Sequence, residues 1–264
     1  MLNLSELRPP STASRQTATR SLKRNRVADR VARELALTIV EAKLPEGTRL
    51  PPEEELCSAM GCSRTSMRSA LRLLESWGLV TIQTGRDGGP VVRYPRVDDL
   101  KETISILIHS EHATLWDVLV ARRAIDPIIA AEAAVNAAPE HVERMDAILT
   151  HMREAPLTQR GFLLATAEFQ GVLADASKLV VLGLFLRILS AFGEGSPLQR
   201  LPLAEKHASD VLTSFSRIRD AIAEHDAESA RAEMLLLRRE SERHWEQNGQ
   251  ALLHVPLGPF EFGA

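Results

Sequence analysis

The sequence predicts a mostly α-helical protein: an N-terminal winged helix-turn-helix domain followed by a C-terminal all-helical bundle. Three observations carry that expectation. Apolar residues recur at helical spacing over most of the 264-residue chain. The β-prone runs, Leu79 to Gln83 and Pro90 to Tyr94, flank Gly85-Arg86-Asp87-Gly88-Gly89 as a hairpin. Charge also divides along the chain. Residues 1–96 hold 16 Lys and Arg against 10 Asp and Glu, a net +6, whereas the remainder holds 16 against 25, a net −9. A basic segment suits a polyanion, and the remainder carries enough leucine, isoleucine and alanine to bury a core of its own.

Residues 1–25 read as a disordered basic tail, since 8–26 are rich in Arg, Ser and Thr, hold no acid and lack a clear apolar face. Such a tail either touches DNA backbone or is a solvated extension. A winged helix-turn-helix is expected over 26–95. Val27, Val31, Leu35 and Ile39 mark its first helix, which ends before Pro45-Glu46-Gly47. After Pro51-Pro52, Glu53, Glu54 and Glu55 occupy the first turn of a second helix, where acids oppose the helix dipole, and Gly61 stops it. Ser63 caps a third helix.

That third helix, about Arg64 to Trp77, separates two faces. Met67, Ala70, Leu71, Leu74 and Trp77 form an apolar stripe, and Arg64, Arg68 and Arg72 form a cationic one about 120° away. An α-helix fits the major groove of B-DNA, where arginine bonds guanine O6 and N7 or neutralises phosphate. Ser63 and Thr65 add hydroxyls near the helix start, and Gly85 with Arg86 forms a wing tip able to approach the backbone closely. Double-stranded operator DNA is therefore the expected partner.

From Val97 onward no strand signal appears, and Pro95 with Asp98-Asp99 reads as a linker. Helices are expected near 98–109, 113–136, 140–154, 161–176, 178–193, 203–224 and 227–247, within a bundle spanning 98–247. The tail 248–264, with Pro256, Gly258, Pro259 and Gly263, reads as loosely docked or disordered. No run of 18 apolar residues occurs and the first 30 residues lack a secretory apolar run, so no membrane is involved and a cytoplasmic protein is expected. Cys57 and Cys62 have no third cysteine and no histidine at zinc-finger spacing, and read as reduced, semi-buried core residues.

The run from Leu50 to Val80, LPPEEELCSAMGCSRTSMRSALRLLESWGLV, closely resembles the GntR-type winged-helix regulators. The family's Leu-Pro-x-Glu, Ser-Arg-Thr, Arg-x-Ala-Leu and Gly-Leu-Val pieces appear in order at the right spacing, and the resemblance covers about residues 26 to 94. It implies that Arg64 and Arg68 occupy the positions that meet operator bases and phosphates, with Gly85 at the wing tip. The family commonly carries arginine where this chain has Glu54, so a contact is lost there or a cytosine-type acceptor gained.

The helical remainder resembles the effector domain of the FadR-type branch, called FCD, through Leu115 to Ala134, Ala167 to Ser177 and Ala221 to Ala230. Many members hold a divalent metal with one Asp and three His. In this chain the corresponding positions are Thr166, Gln170, Phe215 and Leu237, which supply no carboxylate or imidazole, so no metal is expected. Helical projection puts Thr166, Phe215 and Leu237 on inward stripes and Gln170 at an edge, so the same cavity could hold an apolar effector, an acyl-CoA or another bulky apolar acid. Arg122 falls on an apolar stripe with Leu115, Val118 and Leu119. A buried guanidinium there needs a carboxylate, the effector's or an internal one, unless the side chain snorkels to solvent. His207 and His225 lie off the aligned positions and read as core or helix-end residues.

What the resemblance implies is a homodimeric, ligand-responsive regulator, commonly a repressor released by its effector, on an inverted-repeat operator. The alternative is an effector-free, constitutive DNA-binding dimer. An enzyme is not expected: the chain is too short for the aminotransferase-like fusion of one GntR branch, and it carries neither a Gly-rich phosphate loop nor a nucleophile elbow.

Overall fold

In the computed structural model, residues 12–85, 88–154, 158–194 and 203–257 are described. The chain divides into two compact units, Met1–Asp99 and Leu100–Ala264. Element order in the first is α1 (Thr12–Glu41), α2 (Glu53–Met60), α3 (Arg64–Ser76), β1 (Val80–Gln83) and β2 (Gly89–Val92). Valine and leucine side chains at four-residue spacing on α1 meet the apolar stripe of α3. Val31, Leu35, Ile39, Leu56, Met67, Ala70, Leu71, Leu74, Val80 and Val92 form one buried cluster.

Each turn of this unit has a local cause. Gly61 adopts the left-handed conformation that ends α2, and Ser63 Oγ accepts from the Ser66 amide to cap α3. The strands pair antiparallel with Val80 opposite Val92, and Thr48 to Leu50 lies along the far edge of β2 through Val92 N to Thr48 O, 2.8 Å, and Leu50 N to Pro90 O, 2.9 Å. Pro90, which cannot donate, costs this ladder nothing because its carbonyl alone is used there. Gly78 follows α3 at φ +75, and a Cβ on it would lie 2.8 Å from Asp99 Oδ2. That carboxylate is fixed by Arg93, at 2.7 and 3.1 Å, and by the Arg96 amide, at 2.7 Å, which together hold Asp99 below the usual carboxylate range.

Two expectations differ here. α1 extends back to Thr12, so helix occupies 12–25 of the stretch expected as a disordered tail; no Gly or Pro interrupts Thr12 to Glu41, and helix propagation is easier than nucleation. Trp77 is 38% exposed and does not belong to the buried stripe, because α3 ends at Ser76 and Trp77 is its C-cap. Cys57 and Cys62 are free and half-buried.

The second unit contains α4 (Val97–Ser110, entering from the first), α5 (Leu115–Asn136), α6 (Pro139–Glu154), α7 (Gln159–Ser177), α8 (Val180–Glu194), α9 (Glu205–Ala223), α10 (Ala227–Asn248) and the short α11 (Gln250–Leu253). A capping box starts α5: Asp117 N donates to Thr114 Oγ1 while the Thr114 amide donates to the Asp117 carboxylate at 2.8 Å. Thr158 and Asp226 cap α7 and α10 by accepting from the Gly161 and Ser229 amides. α5 packs along α10 and α7, and the bundle core runs through Ile129, Met145, Leu149, Phe169, Leu173, Phe215, Ile218 and Met234. His225 ends α9 at φ +57, its Nδ1 2.8 Å from the Ala134 carbonyl, a helix-end role. Among the described residues, no helix is long and apolar enough to cross a membrane.

Of the loose tail expected over 248–264, residues 248–257 depart from that expectation, while 258–264 lie outside the described residues. The described part includes α11, and Leu253 and Leu257 are buried beside Leu115, Val118 and Trp245. Leu257 N donates to Ala113 O at 2.9 Å and His109 Nδ1 lies 2.9 Å from Leu257 O. Leu253 and Leu257, spaced by four, give this docking its driving force despite the Pro and Gly content of the segment.

Candidate functional site

In the first unit, Ser63, Arg64, Thr65, Arg68 and Arg72 all lie exposed on α3 or its cap, opposite the face that packs. Gly85 is exposed in the hairpin turn at φ +121; Arg86, expected beside it, lies outside the described residues. Two of the three arginines are already engaged. Arg64 pairs with Glu54, and Arg68 Nε donates to Glu53 Oε2 at 2.9 Å. Glu53 and Glu54 are neighbours in the first turn of α2, so this helix presents a carboxylate to each of two successive turns of α3.

In the second unit, a cavity of about 80 Å³ lies between α5, α7, α9 and α10. Its apolar wall includes Leu115, Val118, Leu119, Phe162, Val211 and Trp245, and its polar groups are Arg122, Arg238, Ser241, Thr166 and His207. Arg122 is 8% exposed, and the carboxylate it needs comes from Asp126, one helical turn on, with Nε and Nη2 at 3.2 and 3.1 Å from Oδ2. Arg238, from α10, brings Nε within 3.1 Å of the same oxygen, at ion-pair distance but off the N–H direction needed for a hydrogen bond. Two buried guanidiniums therefore share one carboxylate oxygen, while Asp126 Oδ1 is buried and has no partner among the described residues. Burial, followed by the Arg122 charge, lowers Arg238 to about 10, against the opposite pull of Asp126 and Glu242. Glu242, also buried, is turned to Arg123 at 3.3 Å.

The four positions matched to metal ligands come together at or near this cavity. Thr166, Phe215 and Leu237 line it, with Thr166 Oγ1 buried and without a partner among the described residues. Phe215 stacks on Phe169, filling with aromatic carbon the place where a ligand would project. Gln170 is not at an edge as projected: it is 1% exposed, because α8 covers it, and its Oε1 accepts from Ser190 Oγ at 2.7 Å. A hydroxyl, an amide and two hydrocarbon side chains do not fit a divalent metal. Among the described residues, no group of three or more His, Cys, Asp or Glu is arranged to hold one.

Arg238, Asp126, Ser241 and His207 escaped the sequence reading of this site. The signal for Asp126 was its i+4 spacing from Arg122, and that for Arg238 and Ser241 was the stripe Met234, Leu237, Arg238, Ser241, Trp245 along α10. His207 stacks on His244 with centroids 3.9 Å apart and meets Phe162 and Trp245 edge-on. Burial above all, then the His244 and Arg238 charges, takes it down to about 4. It also belongs to the wall of a polar groove of about 700 Å³ between α9 and α10.

Comparison with known proteins matches these two units to two families. Residues 27–87 match the bacterial regulatory proteins of the gntR family, and residues 117–239 match the FCD domain. The chain is 31% identical over 211 residues to the uncharacterized HTH-type transcriptional regulator Rv0494 of Mycobacterium tuberculosis, covering 79% of this chain and 85% of the relative. It is 29% identical over 221 residues to the Escherichia coli protein named "Putative L-lactate dehydrogenase operon regulatory protein", covering 80% and 83%. The fold is that of the Streptococcus agalactiae GntR structure, with a TM-score of 0.64 at 21% identity over 82% of this chain and 99% of that one. These domains and relatives are transcription regulators, not enzymes. A winged helix-turn-helix with an arginine-faced third helix, joined to a helical bundle around a charged cavity, thus places the chain in the GntR family of bacterial transcription regulators, with an FCD effector-binding domain as its C-terminal part.

Proposed function

We infer that the chain is a ligand-responsive repressor that binds an inverted-repeat operator as a homodimer, and that its effector is a carboxylic acid of a few carbons. The observation that carries the effector class is the pair Arg122 and Arg238, both buried at the cavity wall and sharing a single oxygen of Asp126. A buried cation is costly unless paired and hydrogen-bonded, and a second carboxylate at this wall relieves that cost. Leu115, Val118, Leu119 and Phe162 would take the short hydrocarbon part, and Thr166 Oγ1 offers a hydroxyl.

The volume of the cavity favours a small effector. About 80 Å³ is well below the ~300–1,000 Å³ of drug-sized sites, so the acyl-CoA that the sequence left open does not match this cavity. The relative named for an L-lactate dehydrogenase operon is in keeping with a small acid. Binding that favours one arrangement of the paired DNA-binding units would shift their population and release the operator. Dimerisation is supported by α8, where Val180, Val181, Leu184 and Phe185 leave an exposed apolar face that a second copy would cover. Phe185→Glu is then expected to yield monomers in size-exclusion chromatography with light scattering.

The test of the effector is thermal denaturation and calorimetric titration with acetate, propionate, L-lactate and octanoyl-CoA, on the wild type and on Arg238→Met. Small acids should raise the melting temperature of the wild type and not of the variant, and should weaken operator binding. The effector-free alternative draws support from the same small volume. It prevails if no acid shifts the wild type and operator binding is indifferent to all of them.

A further inference from the structure

We propose that Glu53 and Glu54 are specificity-determining residues that act as built-in competitors of phosphate for the recognition arginines Arg68 and Arg64. The pairing is one to one: Glu54 to Arg64, and Glu53 Oε2 to Arg68 Nε at 2.9 Å. It is also solvent-accessible, with the side chains of Arg64, Glu54 and Arg68 at 68%, 71% and 67% exposure. Ion pairs this exposed add little to stability, and they exchange readily with other acceptors. Their consequence falls on DNA.

Non-specific binding depends on how many phosphates a protein neutralises, since each neutralisation releases counterions. Exchanging a glutamate for a phosphate trades one anion for another at the small cost of an exposed ion pair, and it leaves the displaced carboxylate in the negative field of the backbone. Guanine presents two neutral acceptors, O6 and N7, in the groove, and leaves the neighbouring carboxylate able to accept from a cytosine amine. The two glutamates thus lower affinity for arbitrary duplexes more than for the operator. The third acid of that turn, Glu55, is an internal control: it carries the same charge, and among the described residues no arginine pairs with it.

The experiment measures binding of Glu53→Gln, Glu54→Gln, the double variant and Glu55→Gln by fluorescence anisotropy over a salt series. The probes are a duplex selected by the wild type from a random pool and a scrambled duplex of the same composition. Circular dichroism and urea melts establish that each variant is folded. For the scrambled duplex, each paired-glutamate substitution should tighten binding severalfold and steepen the slope of log K against log salt by about 0.9, the change for one added phosphate contact. The ratio of selected to scrambled affinity should fall, and Glu55→Gln should do much less. Equal effects from Glu55→Gln would mean that net charge alone is at work, which overturns the proposal. So would an unchanged scrambled-duplex affinity, or a Glu54→Gln loss of affinity for the selected duplex alone. The outcome is independent of whether any carboxylic acid binds the second unit.

Discussion

Phe215 lies flat on Phe169, with ring centroids 4.1 Å apart and planes 9° from parallel, at one of the positions where many FCD domains are expected to place a metal-binding histidine. Both rings are fully buried, so this place in the bundle is core. Phe215→Ala should destabilise the protein by about 3–5 kcal/mol, the usual cost of emptying a buried aromatic site. Urea denaturation monitored by circular dichroism measures it, and a loss below about 1 kcal/mol would mean that the stack is not structural. Metal analysis of the purified protein should find no stoichiometric divalent ion.

Acid should weaken the second unit through His207. Its folded value of about 4 lies below the ordinary 6.5, so the unfolded chain takes up the proton first as pH falls. The stability held by the neutral ring is complete above about pH 6.5 and is lost as pH falls towards about 4, amounting to about 3 kcal/mol. His244, lowered chiefly by burial, acts in the same direction. Urea midpoints at pH 7 and pH 4.5 for the wild type and His207→Gln provide the check; the variant should show the smaller drop, and equal drops would refute the assignment.

Arg64→Ala and Arg68→Ala should each cost about 1–3 kcal/mol at the operator, because each removes an arginine from the exposed face of α3. Neither should alter the urea midpoint appreciably, since both side chains are largely exposed and only surface ion pairs are lost. Unchanged operator affinity in both variants would show that DNA is met by another surface.

Removing residues from His254 onward should cost about 2 kcal/mol, the order expected for exposing a buried leucine, here Leu257. The Leu257 to Ala113 hydrogen bond is lost with it. Differential scanning calorimetry of the truncated chain reports the effect; an unchanged transition would restore the loosely docked tail that composition suggested.

In the bundle, the boundaries of α4 to α10 were legible in the sequence to within a few residues, whereas the start of α1 at Thr12 was not. The expected 140–154, for example, is observed as Pro139–Glu154, and 227–247 as Ala227–Asn248. Helices close their hydrogen bonds within themselves, so spacing and caps such as Ser63 and Asp226 report them without knowledge of any neighbour. Trp77 and Gln170 were misplaced because their environment depends on where one helix stops and which other helix covers it.

The sequence by itself determined the order of elements, the arginine face of α3 and the loss of metal donors at Thr166, Gln170, Phe215 and Leu237, since residue identity and periodicity are local properties of the chain. Only the tertiary structure decided that Asp126 answers both Arg122 and Arg238, that Glu54 and Glu53 pair with Arg64 and Arg68, and that the cavity is about 80 Å³. Ion pairing between helices depends on their relative rotation and approach. A cavity is the small remainder left when large side-chain volumes pack to near-crystalline density, and that difference has no signature in one dimension.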